Sequence, residues 1–314
     1  MLQLEYHNLL LKTILTERIA SPTPVSIDQV ISDFDNVTFH ISTPEVKTRI
    51  LISISIKCFN DLVKYGANEV LAREYGPYVV APEDGYDFSI QLDLEKDIPQ
   101  DPEEREALIM KIALLRRNTM AAPFERAIDL HHALAEQASR FTTEAAPTGE
   151  GSEVMAIHYR DEEALYVQAT HDRVTVIFST VFREETDRIF GKVFLSEFVD
   201  ARKRAIQNAP QVLYRNDPPL EIRDVVGAKH NESIGYITFV LFPRHLTAQK
   251  REQSISHIQT FRDYFHYHIK AAKAYMHSRM RRRVADFLKV LNRAQPEQEE
   301  KEKKTASGRS FRQA

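Results

Sequence analysis

From about Ala248 to Ala294 the sequence contains neither glycine nor proline, so nothing in it stops a helix once one has begun. About 46 residues of helix would extend about 70 Å. A compact domain of about 150 residues is only roughly 35 Å across. The end carrying "DFLKVLNRA" must therefore leave its own domain and needs another surface. At about 100° per residue, Ile258, Phe261, Phe265, Ile269, Ala272, Met276, Met280 and Phe287 fall on one stripe, which should cover the helix's own sheet. Tyr264, Tyr267, Ala271 and Tyr275 form a second stripe, and Arg262, Asp263, His266, Lys270, Lys273, His277 and Arg281 a narrower polar face. A helix packed on one sheet does not need apolar side chains over half its circumference. Left wet, Phe287, Leu288, Val290 and Leu291 would each forgo about 1.5–3 kcal/mol of burial. The pattern predicts a partner-binding helix with Tyr264, Tyr267, Tyr275, Phe287, Leu288 and Leu291 at the interface. The alternative is a break near Arg281 that folds the end back over the second domain, although no breaker residue marks one.

The rest of the chain reads as one order of elements used twice. In the first half, "NVTFHIS" (36–42) and "TRILISISI" (48–56) alternate as strands. A helix follows at "FNDLVKYGANEVLAREY", then strands at "PYVV" and "YDFSIQLDL", then a helical pattern from about Pro102 to Gln137. Asp101 is placed to cap that pattern, and Pro102 suits its first position. In the second half, "VMAIHYR", "ALYVQAT" and "RVTVIFSTVF" form a meander. A helix around 184–205, strands at "QVLY" and "GYITFVLF", and the long helix complete it. The polar segment "TTEAAPTGEGSE" (142–153) separates the halves as a linker. The expected fold class is α+β: two similar antiparallel-sheet domains, each covered by helices, with a long projecting C-terminal helix. The expected domains are residues 1–145 and 146–296, followed at 297–314 by a charged, mobile tail.

Composition narrows the function. The 314 residues are 43% hydrophobic and 28% charged, with a formal net charge of −3, which disfavours a dedicated nucleic-acid binder. One cysteine, Cys58, cannot form an intrachain disulfide and fits a reducing compartment. The first residues place Leu and Ile at helical spacing around Glu5 and Glu17 and read as a packed helix rather than a leader. Apolar runs such as "VTVIFSTVF" are too short to span a membrane.

No motif for chemistry stands out. The nine glycines form no phosphate-binding loop, and GxSxG and HExxH are missing. His266 and His268 are two apart, so on a helix they point about 200° from each other, and Cys58 has no partner at metal-ligand spacing. "DFDN" (33–36) is a turn rather than a calcium loop. The expectation is a non-enzyme with no cofactor, no metal, and neither nucleic acid nor membrane as partner. Basic side chains cluster at Arg202, Lys203 and Arg204, and again at Arg279, Arg281, Arg282, Arg283, Lys289 and Arg293. Such runs are usually a solvated face; beside a protein interface they suit an acidic protein surface.

Several longer strings carry a resemblance: "DFDNVTFHIS", "YGPYVVAPEDGYDFSIQLDLE", "IHYRDEEALYVQATHDRVTVIFSTVF", "APQVLY", "IGYITFVLFPRH", "TFRDYFHYHIKAAKAYMHSRMR" and "DFLKVLNRA". Together they resemble the family of the 34-kilodalton subunit, subunit 2, of the actin-related protein 2/3 complex. The likeness runs in order along nearly the whole chain, densest from Ile157 to Ala294 and weakest from Asp97 to Gly151. It implies two related α+β domains and a long helix packed on the 20-kilodalton subunit 4. It also implies a structural place in an assembly that branches actin filaments, contact with the side of the mother filament, and a location in the cytoplasm at cortical actin structures. The basic residues named above are then candidate filament contacts. The competing readings are a standalone adaptor and an RNA-binding protein built from duplicated sheet domains.

Overall fold

Two five-stranded antiparallel sheets with one shared strand order organise the chain. The computed structural model describes residues 4–140, 153–204, 208–225, 227–228, 233–293, 303–304 and 310–311. In chain order the first half holds α1 (Leu9–Ala20), β1 (Asp28–Ser32), β2 (Thr38–Ser42), β3 (Arg49–Ser55), α2 (Phe59–Lys64), α3 (Ala67–Tyr75), β4 (Val79–Val80), β5 (Phe88–Asp93), α4 (Pro102–Ala113), α5 (Leu115–Thr119) and α6 (Ala122–Ser139). The second holds β6 (Met155–Ile157), β7 (Leu165–Ala169), β8 (Val174–Val181), α7 (Glu185–Arg204), β9 (Gln211–Arg215), β10 (Ile234–Leu241) and α8 (Arg251–Arg293). The sheets run β1-β2-β3-β5-β4 and β6-β7-β8-β10-β9, so the duplication extends to topology. The first meander has a strand the sequence pattern did not announce: β1 is an edge strand with only Ile31 buried.

Alternation sets what each sheet face does. In the first sheet Phe39, Ile41, Ile50, Ile52, Ile54, Ile90 and Leu92 are fully or almost fully buried. The opposite face is polar, with His40, Ser53, Ser89 and Gln91 at facing register positions. Helices therefore cover one face of this sheet, not both. In the second sheet Phe178 and Phe239 meet Phe261 of α8, with ring centroids 5.7 and 4.5 Å away. On the reverse face Tyr166, Ile177 and Tyr236 pack around Ile222, which a short turn at Leu220–Ile222 delivers.

Two helices expected to be continuous are broken, each for a local reason. Gly66 takes φ 104° and divides α2 from α3; a side chain there would be strained. The expected helix from Pro102 to Gln137 is three segments. Leu114 departs from helical geometry at φ −87°, ψ 5°, and Pro123 sits in the first turn of α6, where its missing N–H is tolerated. The break changes which sheet is covered. Helix α6 packs on β7 and β8 of the second sheet, and His131 Nδ1–H donates to the Thr170 carbonyl at 2.7 Å.

The chain forms two compact units, Met1–His266 and Tyr267–Ala314. The first contains both sheets; the second contains the remainder of α8 and a two-residue pairing of Lys303–Lys304 with Ser310–Phe311. The expected junction at 145/146 and nearly all of the linker lie outside the described residues, as does most of the expected tail at 297–314. We propose retaining that domain boundary because each half carries its own complete sheet.

At the centre of the first unit lie three acids and three arginines. "DFDN" is a turn, as expected, in which Asp33 accepts from Phe34 N–H at 2.7 Å and Asp35 adopts φ 59°. Asp35 is thereby turned inward, where it accepts from Arg116 Nη2 and Arg160 Nε, both at 2.9 Å. Glu163 accepts from the Val181 N–H at 2.9 Å and pairs with Arg262 Nη2 at 2.6 Å. Asp263 lies 3.5 Å from Arg262 and 3.9 Å from Arg116. The cluster draws on both halves of the chain and on α8. Sequence periodicity placed Arg262 and Asp263 on the helix's narrower polar face; the structure buries Asp263 and leaves Arg262 half-buried among these partners.

Removing one member of a buried ion pair leaves its partner uncompensated and costs about 3–5 kcal/mol. Asparagine tolerates positive φ, so Asp35→Asn isolates the charge, and we expect a loss of that size in chemical denaturation. Asp263 is pushed up to about 6, first by burial and then by the Asp35 carboxylate, with Arg116, Arg262 and Arg160 opposing. A raised acid makes the native state bind protons more tightly than the unfolded chain, so its contribution falls as pH rises from about 4 to about 6. Asp263→Asn should therefore gain melting temperature relative to wild type across that interval; a constant difference would contradict this.

Candidate functional site

Helix α8 starts from a root tied into the first half of the chain. Arg251 pairs with Asp129 at 2.8 Å, and Arg117 Nε donates to Ser256 Oγ at 2.9 Å. Arg117 also meets the Glu252 carboxylate at 2.8 Å. Ile255, Ile258, Phe265 and Ile269 are buried in turn, and Phe265 packs edge-on to Phe182 with centroids 6.1 Å apart. The helix runs unbroken to Arg293, about 65 Å at 1.5 Å per residue, with no break at Arg281. Its character changes after Ile269, the last buried position. From Ala274 to Arg293 every residue is exposed.

That exposed part has two faces. Met280, Val284, Phe287 and Leu291 follow one another at intervals of four, three and four residues, the spacing that keeps apolar side chains against a partner helix. Leu288 flanks this stripe. Phe287 is 62% exposed and Met280 59%. Roughly opposite, by the 100° rotation per residue, stand Arg282, Lys289 and Arg293, with Arg279 toward one flank and Arg283 between that face and Phe287. Tyr275, Arg279, Arg282, Arg283 and Asp286 line one shallow groove. Arg279 lies over the Tyr275 ring at 5.5 Å and donates to its Oη at 3.1 Å. Lys289 approaches Asp286 at 3.8 Å.

The structure thus sorts the residues expected at the interface. Phe287, Leu288 and Leu291 belong to the apolar stripe. Tyr275 belongs to the basic face, under Arg279. Tyr267 is partly exposed and meets His268 edge-on at 5.3 Å. Tyr264 Oη accepts from the Leu4 N–H at 2.6 Å, so it is engaged by the chain's own N-terminal segment. Among the basic residues, Arg281 falls beside Leu288 and Arg283 beside Phe287, on the two flanks of the stripe, while Arg282 points away from it. At the end of α7, Arg202 is half-buried and donates to the Ala209 carbonyl at 3.1 Å. Lys203 and Arg204 are exposed there, with Arg204 3.8 Å from Asp200.

Other readings of the sequence meet definite geometry. His266 stacks on Phe182 with centroids 6.1 Å apart. Phe178 and Phe239, the aromatics a base would need for stacking, are occupied by Phe261. Cys58 is buried, and burial pushes its thiol up to about 12, far from the reactive thiolate. No described helix is long and apolar enough to cross a membrane.

A helix with 20 consecutive exposed residues, carrying an apolar stripe on one face and basic side chains on another, is suited to be covered by other proteins. The chain is a subunit by design. The family model described as "Arp2/3 complex, 34 kD subunit p34-Arc" matches residues 52–298. The actin-related protein 2/3 complex subunit 2 of Schizosaccharomyces pombe is 59% identical over 99% of both chains. That of Dictyostelium discoideum is 38% identical over the full length of both. The chain belongs to the family of the 34-kilodalton subunit of the Arp2/3 complex.

The exposed stripe gives a direct expectation for the chain produced alone. Phe287→Ser with Leu291→Ser should reduce its self-association in light scattering while leaving the melting temperature within about 1 °C, because neither side chain is buried. Equal self-association in both proteins would contradict the assignment of the stripe.

Proposed function

We propose that this chain is a structural, non-catalytic subunit of the actin-related protein 2/3 complex, the assembly that nucleates branched actin filaments. Family membership over the full length carries this reading. The split character of α8 supports a division of labour. The apolar stripe through Met280, Val284, Phe287 and Leu291 packs against another subunit of the complex, and the 20-kilodalton subunit 4 is the proposed occupant. Tight packing of such side chains is what makes a subunit contact permanent.

The basic face has the opposite physics. Arg279, Arg282, Arg283, Lys289 and Arg293 keep their charge in water, where each alone contributes little to stability. Aligned on one side of a helix, they attract and orient an acidic surface, and the side of the mother actin filament is the proposed target. Lys203 and Arg204 at the end of α7 are further candidates for that contact. The place of action is the cytoplasmic actin cytoskeleton, at cortical structures.

Charge reversal at Arg281, Arg282 and Arg283 to Glu should weaken co-sedimentation of the assembled complex with filaments by at least about tenfold, without dissolving the complex. Because Arg281 and Arg283 both flank the apolar stripe, Arg282→Glu with Lys289→Glu should reproduce most of the loss. Unchanged filament binding with an intact complex would refute the role of this face.

A further inference from the structure

The polar face of the first sheet carries a cluster that the reading of α8 does not use. His40 on β2 lies between two carboxylates. Its Nδ1 is 2.8 and 2.9 Å from the two oxygens of Glu83, and its Nε2 is 2.9 Å from Asp28 Oδ1. Asp28 begins the edge strand β1. Glu83 belongs to the segment between β4 and β5, at the other end of the sheet order. That segment reaches back across the polar face, and Tyr86 stacks on the imidazole with centroids 5.6 Å apart and planes 19° apart. Glu83 N–H donates to Ser89 Oγ at 3.0 Å, and Ser89 Oγ–H to Ser53 Oγ at 2.8 Å.

We propose that His40 is a proton-operated clasp that ties the edge strand β1 to the 81–87 segment across the open face of the first sheet. Carboxylates only accept, so both contacts require a donor on each ring nitrogen, and only the imidazolium has two. Loss of one proton leaves a lone pair facing a carboxylate on one side. Whichever contact keeps its N–H, the other becomes repulsive. The titratable groups facing the ring are Asp28 from β1 and Glu83 and Tyr86 from the 81–87 segment; the register partner on β3, Ser53, does not titrate.

The electrostatics agree with the geometry. Burial works to lower the imidazole, yet hydrogen bonds and charge from Asp28 and Glu83 outweigh it and hold it above its free value of 6.5. The Tyr86 phenol is raised by burial, then by Glu83 and Asp28, and so stays neutral against the ring. A base whose folded value is raised stabilises fully below pH 6.5, and its contribution is lost as pH rises through the folded value. The clasp is closed in acidified conditions and opens toward alkaline ones. Asp28 is well exposed, so salt weakens that arm more than the Glu83 arm.

Hydrogen exchange of the assembled complex, read by mass spectrometry from pH 6 to 8.5 and corrected for intrinsic exchange rates, tests the clasp. Peptides covering 26–33 and 81–88 should lose protection several-fold as pH rises, while those covering β3 stay constant. His40→Gln should make both peptides insensitive to pH at the unprotected level. Glu83→Gln should move the wild-type midpoint to lower pH, and adding salt should do the same. Protection independent of pH in the wild-type complex would overturn the proposal, as would a midpoint unmoved by Glu83→Gln.

Discussion

The contact on which the rest of the structure depends is the buried meeting of Asp35, Glu163 and Asp263 with Arg116, Arg160 and Arg262. It joins a turn and a helix of the first half to the first meander of the second half and to the root of α8. Apolar packing could hold these pieces together as well or better, since desolvating ions offsets much of their attraction. What ions add is selectivity: each arginine must find its acid, so a shifted register leaves charge stranded. The position of α8 against the sheets is thereby fixed at its base, where Phe261 and Phe265 supply the packing.

A helix fixed in this way can afford an exposed end. Its first turns are buried against the chain's own sheets, and residues 274–293 are exposed. Along that end an apolar stripe stands opposite Arg282, Lys289 and Arg293, with Arg281 and Arg283 on its flanks, and we propose that one helix thereby serves two surfaces of different chemistry. The apolar stripe gains free energy only when covered. The basic face gains encounter rate and orientation while staying wet. Membership of the 34-kilodalton subunit family supplies the setting in which we propose that both surfaces find partners.

Much of this was legible in the sequence because it rests on local periodicity. The repeated sheet order, the missing breakers in α8 and the exposure of Phe287, Leu288 and Leu291 all follow from spacing alone. What stayed hidden was mostly non-local. Asp35 and Arg160 sit far apart in the chain, as do His40 and Glu83, and no pattern within a window relates them. The edge strand β1 buries one side chain, too little for alternation to show. Two helix breaks were readable in principle, from Gly66 and Pro123, but were lost inside longer apolar patterns. Periodicity grouped Tyr264 and Tyr275 on one stripe because it gives a direction, not an occupant: within the chain one meets Leu4, the other lies beneath Arg279.

The most direct measurement is hydroxyl-radical footprinting of the chain alone and of the chain in its assembled complex. The account predicts strong protection of Met280, Phe287 and Leu291 on assembly, with Tyr275 on the basic face still reactive. Equal labelling of Met280 and Phe287 in both samples would contradict the claim that the apolar face of α8 is where this subunit is completed.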